Sequence, residues 1–234
     1  MIDGTRAVVM TEQGDSVSGI RVWVVGTLSG PEAETLSERF RRLVADEEAN
    51  RPPEHTDSLA WWERGCDGEP FFRAGEGGSG SLVPTEAGLR FAELVQAESQ
   101  GIAAAQELWD EVMDPVSGNG PAERFSTVGH RASPVAALFY GLGAEAASLL
   151  PGRFGHFLLP AHEVPTALAK AERALALTGP GRAEVLRRID AWMTGTENDA
   201  QFAATDLLEA PLRVLRSAAA NRRGATAFTG LWEY

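Results

Sequence analysis

The sequence predicts an α+β fold, with a small N-terminal antiparallel sheet and one helix, then a mainly helical C-terminal part with a few short strands. Three observations lead there. β-Branched and aromatic residues gather in the first 80 residues, above all at 20–25 (Ile-Arg-Val-Trp-Val-Val). From Thr85 onward apolar residues recur at helical spacing. Between the two, residues 75–81 read Gly-Glu-Gly-Gly-Ser-Gly-Ser, the chemistry of a flexible connection. We place a boundary there, with a strand-rich region 1–80 and a mainly helical region 81–234 that can pack as one compact domain.

Residues 6–10 carry Val8 and Val9 and read as a strand; Gly14-Asp15-Ser16 supplies turn chemistry, so 6–10 and 20–25 suit a hairpin. Ser29-Gly30-Pro31 is a helix start. Leu36, Phe40, Leu43 and Val44 then mark one face of a helix running to about Glu48, and Arg51-Pro52-Pro53 stops it. Residues 54–73 hold the pairs Trp61-Trp62 and Phe71-Phe72 on either side of Cys66-Asp67-Gly68. Were Trp61-Trp62 in a strand, the two rings would point to opposite faces, leaving one for surface contact.

Ile102, Ala105, Leu108, Trp109 and Val112 share a helical face that should end near Met113, before a loop over 114–121. Ser133-Pro134 opens an apolar run over 135–150 whose periodicity fits a helix or a buried strand. Phe157-Leu158-Leu159 is strand-like. Val164, Leu168, Ala171 and Leu175 define a helix ended by Gly179-Pro180-Gly181, and residues 182–192 form another. A long helix is expected over 199–221, kinked or split at Pro211 and stopped by Gly224, with a last strand over 225–232.

The chain has 234 residues, with 21 basic and 33 acidic side chains and a formal charge of −12. An acidic chain lacks the basic face that displaces counterions from nucleic acid. The N-terminus has no basic start followed by an apolar run, and no stretch approaches the roughly 20 apolar residues that span a bilayer. These features lead us to expect a cytoplasmic protein without a membrane segment. Of the basic residues only Lys170 is a lysine, a compositional bias rather than a phosphate-binding design. One cysteine excludes a disulfide framework within the chain.

Cys66 lies beside Arg64 in a turn-like setting, where a cation can lower a thiol's pKa and make it a nucleophile. A small apolar filler is the alternative. The histidines His55, His130, His156 and His162 are candidate bases, at no recognisable catalytic spacing. His156 and His162, with Glu163, carry zinc-ligand chemistry, but Pro160 lies between them; His162-Glu163 also suits the first turn of a helix. No metal or cofactor is expected. Gly141-Leu142-Gly143-Ala144-Glu145-Ala146 matches a dinucleotide fingerprint in letters, yet Pro151-Gly152 follows too soon for its helix, so close packing explains the glycines better. The acids Glu197, Asp199, Asp206 and Glu209 read as a solvated face.

Residues 153–164 (Arg-Phe-Gly-His-Phe-Leu-Leu-Pro-Ala-His-Glu-Val), Arg187-Arg188-Ile189-Asp190, and the stretch from Leu207-Leu208 through Leu212, Leu215 and Ala218-Ala219 to residues 224–228 resemble the C-terminal part of YfbM-like bacterial proteins. The resemblance covers about residues 150–230. It departs at Pro160, where the family caps with threonine, and at Pro211. It implies an α+β fold and carries over no catalytic residue.

Two function classes follow. The charge suits a non-catalytic module that binds a basic protein, for example a toxin, with fast and salt-sensitive association. The alternative is a small-molecule-binding protein or enzyme whose pocket gathers Trp61, Trp62, Cys66, Phe71 and Phe72, with His130, His156 or His162 as further contacts. A homodimer joined through the aromatic segment is the third expectation.

Overall fold

The computed structural model describes residues 19–75, 82–100, 103–129, 133–196 and 203–233. The expected strand 6–10, the glycine-rich connection over 76–81, His130, Ile102, Glu197 and Asp199 lie outside them.

Alternating β-branched residues make Gly19–Leu28 a strand, β1. Its partners are far away in the chain. β1 pairs antiparallel along its whole length with β6 (Gly224–Glu233), in register Gly19↔Glu233 to Leu28↔Gly224. On its other edge it pairs with β4 (Arg124–Gly129), and β5 (Phe157–Leu159) adds to β6. The sheet order is β4-β1-β6-β5. The α+β class holds, but the main sheet draws its strands from both ends of the chain rather than from its first 80 residues.

Period-two alternation sorts β1 onto two cores. Val22, Val24 and Leu28 pack with Leu36 and Phe40 of α1 (Gly30–Ala49) and with Leu108, Val112 and Val116 of α4 (Ala103–Ser117). Trp23 and Val25 face the other way, toward α5 (Pro134–Ala147) and α8 (Ala204–Ala220). The sheet is thus the middle of three layers. Glycine lets the helices approach it. A Cβ on Gly26 would lie 2.4 Å from Val116, and one on Gly224 would lie 2.1 Å from the Ala33 Cβ. Flanking α5 are α3 (Glu86–Gln100), α6 (Val164–Leu175) and α7 (Gly179–Gly195).

Several local expectations are corrected. The region before residue 75 carries a second helix, α2 (Pro53–Glu63), followed by a 3-10 turn at Cys66–Gly68. Trp61 and Trp62 sit in α2, where neighbours are separated by about 100° rather than 180°, and both are buried at 2% and 5% exposure. A two-stranded sheet, β2 (Phe72–Ala74) with β3 (Leu82–Pro84), follows. α4 continues past Met113 through Pro115, because Val116 is fully buried under Gly26 and holds the last turn in place. The run after Ser133 is helical, with a break at Gly143 (φ 75°). Gly179-Pro180-Gly181 does not close α6. It opens α7, with Pro180 in the first turn, where its missing N–H costs nothing.

Pro211 neither ends nor splits α8, since Leu207, Leu208, Leu212 and Leu215 bury the helix on both sides of it. Gly224 is not the stop of α8. Arg222 takes the left-handed conformation (φ 54°), and the Arg223 and Arg222 amides donate to the Ala218 and Ala219 carbonyls at 2.9 and 3.3 Å. That is a Schellman closure with arginine in the glycine position.

The four predicted aromatics meet other rings. Trp61 stacks on Phe71 (5.9 Å), Trp62 lies against Phe91 (4.5 Å), and Phe72 packs edge-on to Trp192 (5.5 Å). Phe91 is completely buried among Trp62, Phe71 and Trp192, whereas Leu89 on the same helix is 55% exposed. Phe91→Ala is expected to cost about 3–5 kcal/mol and Leu89→Ala less than about 0.5 kcal/mol, read from urea unfolding midpoints at unchanged slope.

Candidate functional site

α1 ends where Asn50 caps it, its side-chain amide donating to the Asp46 carbonyl at 2.7 Å, and Pro52-Pro53 turn the chain into α2. The C-terminal turns of α1 and α3, the 50–52 connection and the first turn of α2 approach the turn 152–156. They leave a cavity of about 610 Å³ among them. Phe40, Val44 and Ala97 supply its apolar wall; Arg51, His55, Glu98 and Arg153 are among its polar lining residues, and His156 lines it with both ring nitrogens closed off from solvent.

The turn is tightly specified. Arg153 and His156 exchange backbone hydrogen bonds of 3.1 and 2.9 Å, and both central residues, Phe154 and Gly155, have positive φ (41° and 81°). That is the pattern of a type I′ turn, which matches the twist of paired strands. Gly152 precedes it at φ 70°, where a Cβ would fall 1.9 Å from the His156 carbonyl oxygen. Phe154 anchors the turn in the aromatic core, 5.0 Å from Phe139, and the Trp23 indole donates to the Gly155 carbonyl at 3.2 Å.

Held this way, His156 is 1% exposed, edge-on to Phe228, and neither ring nitrogen has a hydrogen-bond partner. Burial pushes its pKa down from 6.5 to about 4, so the imidazole is neutral at pH 7. It offers one donor and one acceptor. Glu98 is 5% exposed and lies between two guanidiniums, 3.5 Å from Arg51 Nε and 3.5 Å from Arg153 Nε; Arg153 also reaches Glu48 at 3.3 Å. Burial raises the Glu98 pKa above the usual carboxylate value, while Arg51 and then His55 pull it down.

Of the residues expected from sequence to contact a ligand, His156 lines the cavity. Trp61, Trp62, Phe71 and Phe72 do converge, but on Phe91, Tyr140 and Trp192, as ring-on-ring packing; Cys66 is buried in the same core. His162 is exposed at the foot of α6, its Nδ1 3.1 Å from Glu34, and is not among the cavity's residues. His130 lies outside the described residues. Among the described residues no three His, Cys, Asp and Glu side chains form a metal-holding group. In the 141–146 motif, Gly141 allows close packing, since a Cβ there would meet Ile189 at 2.5 Å.

Nothing in the sequence motifs points to Arg51, Glu98 and Arg153 together. For Glu98 a signal exists. Phe91, Leu94, Val95 and Glu98 stand at i, i+3, i+4 and i+7, so an acid occupies a core position of α3. Arg51 reads only as part of a helix stop.

No helix among the described residues is long and apolar enough to cross a membrane. Comparison with protein-family models, with curated proteins and with solved structures finds no match for this chain.

The buried imidazole gives a pH signature. Its folded pKa lies below its unfolded one, so the unfolded state binds more protons between them. The stabilisation is complete above pH 6.5 and is lost as pH falls toward 4; the loss is about 3 kcal/mol. Glu98, with a raised pKa, acts in the opposite sense and loses stability as pH rises through its folded value. The difference between wild type and His156→Leu isolates the histidine. His156→Leu should gain about 1 kcal/mol at pH 7, because it removes an unpaired buried polar group. The gain should widen by about 2 kcal/mol at pH 4.5, measured by urea unfolding at both pH values.

Proposed function

We propose that the protein binds a small organic molecule in the cavity between α1, α2, α3 and the 153–156 turn. The observation that carries this reading is a cavity of about 610 Å³ with an apolar wall and a buried carboxylate, Glu98, whose two arginine contacts are no closer than 3.5 Å. The cavity falls within the roughly 300–1,000 Å³ of ligand sites, and its apolar wall with a few placed polar groups has their composition. This keeps the small-molecule class and moves the site from the aromatic segment to the buried charges.

The net charge of −12 supports association with a basic protein as a second reading. Charge is its whole support. Several acids are also engaged locally, as in Arg39–Glu111 and Arg41–Glu163, both at 2.6 Å.

Ala97 is half-buried on the cavity wall, so Ala97→Phe narrows the cavity from a position that tolerates a larger side chain. In saturation-transfer NMR with a mixture of fragment-sized amides, alcohols and amines, wild type should show bound fragments. Ala97→Phe should lose most of that signal at an unchanged melting temperature. No bound fragment on wild type, or equal signals from both proteins, overturns the reading.

A further inference from the structure

The charges on the cavity wall answer one another. Three acids, Glu47, Glu48 and Glu98, line it together with Arg51, His55 and Arg153. The two arginines take Glu98 from two sides at 3.5 Å each, and Arg153 also reaches Glu48 at 3.3 Å. His55 adds a further pull on the Glu98 carboxyl. Glu47 is not free either. His156 brings no polar atom to the cavity, because both of its ring nitrogens are closed off.

This set of charges is largely out of water. The side chains of Arg51 and Arg153 are 17% and 28% exposed, and Glu98 between them is 5% exposed. At that depth the attraction across 3.5 Å persists without a short hydrogen bond. Withdrawing one partner leaves an uncompensated buried charge, which is strongly destabilising. A charged ligand would shed its hydration shell on entry, and would gain a counter-charge only by drawing one of these groups from its partner. An uncharged ligand meets neither cost.

The apolar wall remains to recognise it. Phe40 is buried and fixed edge-on to Phe228 at 5.6 Å, so that side of the cavity is already formed. Resting on the ligand-binding reading, we propose that the ligand is an uncharged small molecule with an apolar body, seated against Phe40, Val44 and Ala97 and held by burial of apolar surface. The ion pairs have a different task. They tie α1 at Glu48, the 50–52 connection at Arg51, α3 at Glu98 and the turn at Arg153 around the cavity, and they turn charged molecules away.

Two probe series, titrated by NMR at pH 7, separate charge from apolar contact. Benzyl alcohol, 2-phenylethanol and 3-phenylpropanol lengthen an uncharged body one methylene at a time, and each step is expected to tighten binding about two- to fourfold. 3-Phenylpropanol is expected to bind at least about tenfold more tightly than 3-phenylpropylamine or 3-phenylpropanoate. Its affinity should change less than about twofold between low salt and about 0.5 M salt. Val44 is half-buried on α1, and Val44→Ser should weaken 3-phenylpropanol about three- to fivefold.

A charged probe that binds as tightly as the alcohol, or affinities that do not rise along the alcohol series, overturn the inference and leave ligand binding standing. So does a Val44→Ser protein that binds 3-phenylpropanol like wild type. Tighter binding of N-acetylphenylalaninamide than of 3-phenylpropanol assigns the apolar group to a peptide and overturns the small-molecule form. No binding of any probe, together with a blank fragment screen, overturns both this inference and the reading on which it rests.

Discussion

The pairing of β1 with β6 is the interaction on which the other layers rest. It joins residues 19–28 to residues 224–233 in one antiparallel ladder, and β1 is buried on both faces along Val22–Leu28. Each backbone amide and carbonyl there must be satisfied within the sheet, because helices exclude water on either side. Everything between the two strands is closed into a loop of about two hundred residues before the ladder can form. That closure is entropically costly, so the intervening helices must bury enough apolar surface to hold the ends together. Val22 and Val24 accept α1 and α4 on one side; Trp23 and Val25 accept α5 and α8 on the other.

The cavity is a consequence of where those layers stop. α1 must end at Asn50 to let Pro52-Pro53 start α2, and α3 carries its apolar stripe to Glu98 at its far end. The turn from Arg153 to His156 enters from the edge strand β5 and is locked by Phe154 and by the Trp23 indole. Helix termini and a tight turn cannot fill space as densely as helix faces do, so a cavity remains where they meet. The polar groups that line it are expensive. Glu98 is buried between cations that stand too far away for short hydrogen bonds, and His156 is buried with none. Such departures from full satisfaction are uncommon in folded proteins and each costs stability.

The aromatic segment has a different task. Trp61, Trp62, Phe71 and Phe72 join Phe91, Tyr140 and Trp192 in a continuous set of ring contacts, and Phe154 connects that set to the cavity's turn. Its rigidity holds the main chain of His156 in place. A core of this kind positions a site without lining it.

Local chemistry was legible in the residues themselves. The strand at 20–25, the helix after Ser29-Gly30-Pro31, the strand at 157–159 and the α+β class all rest on spacing and capping, which act within a few residues. Even the buried acid of the site has a trace, Glu98 at i+7 from Phe91 on an apolar face. Tertiary structure decided the rest. It paired the two distant strands and made Trp61-Trp62 helical and wholly internal. It carried α8 through Pro211, and it brought Arg51, Glu98 and Arg153 within ion-pair distance from three separate segments. The physical reason is range. Propensity and periodicity report what a residue's immediate neighbours favour, whereas burial, charge compensation and cavity shape depend on which segments meet after the chain has closed.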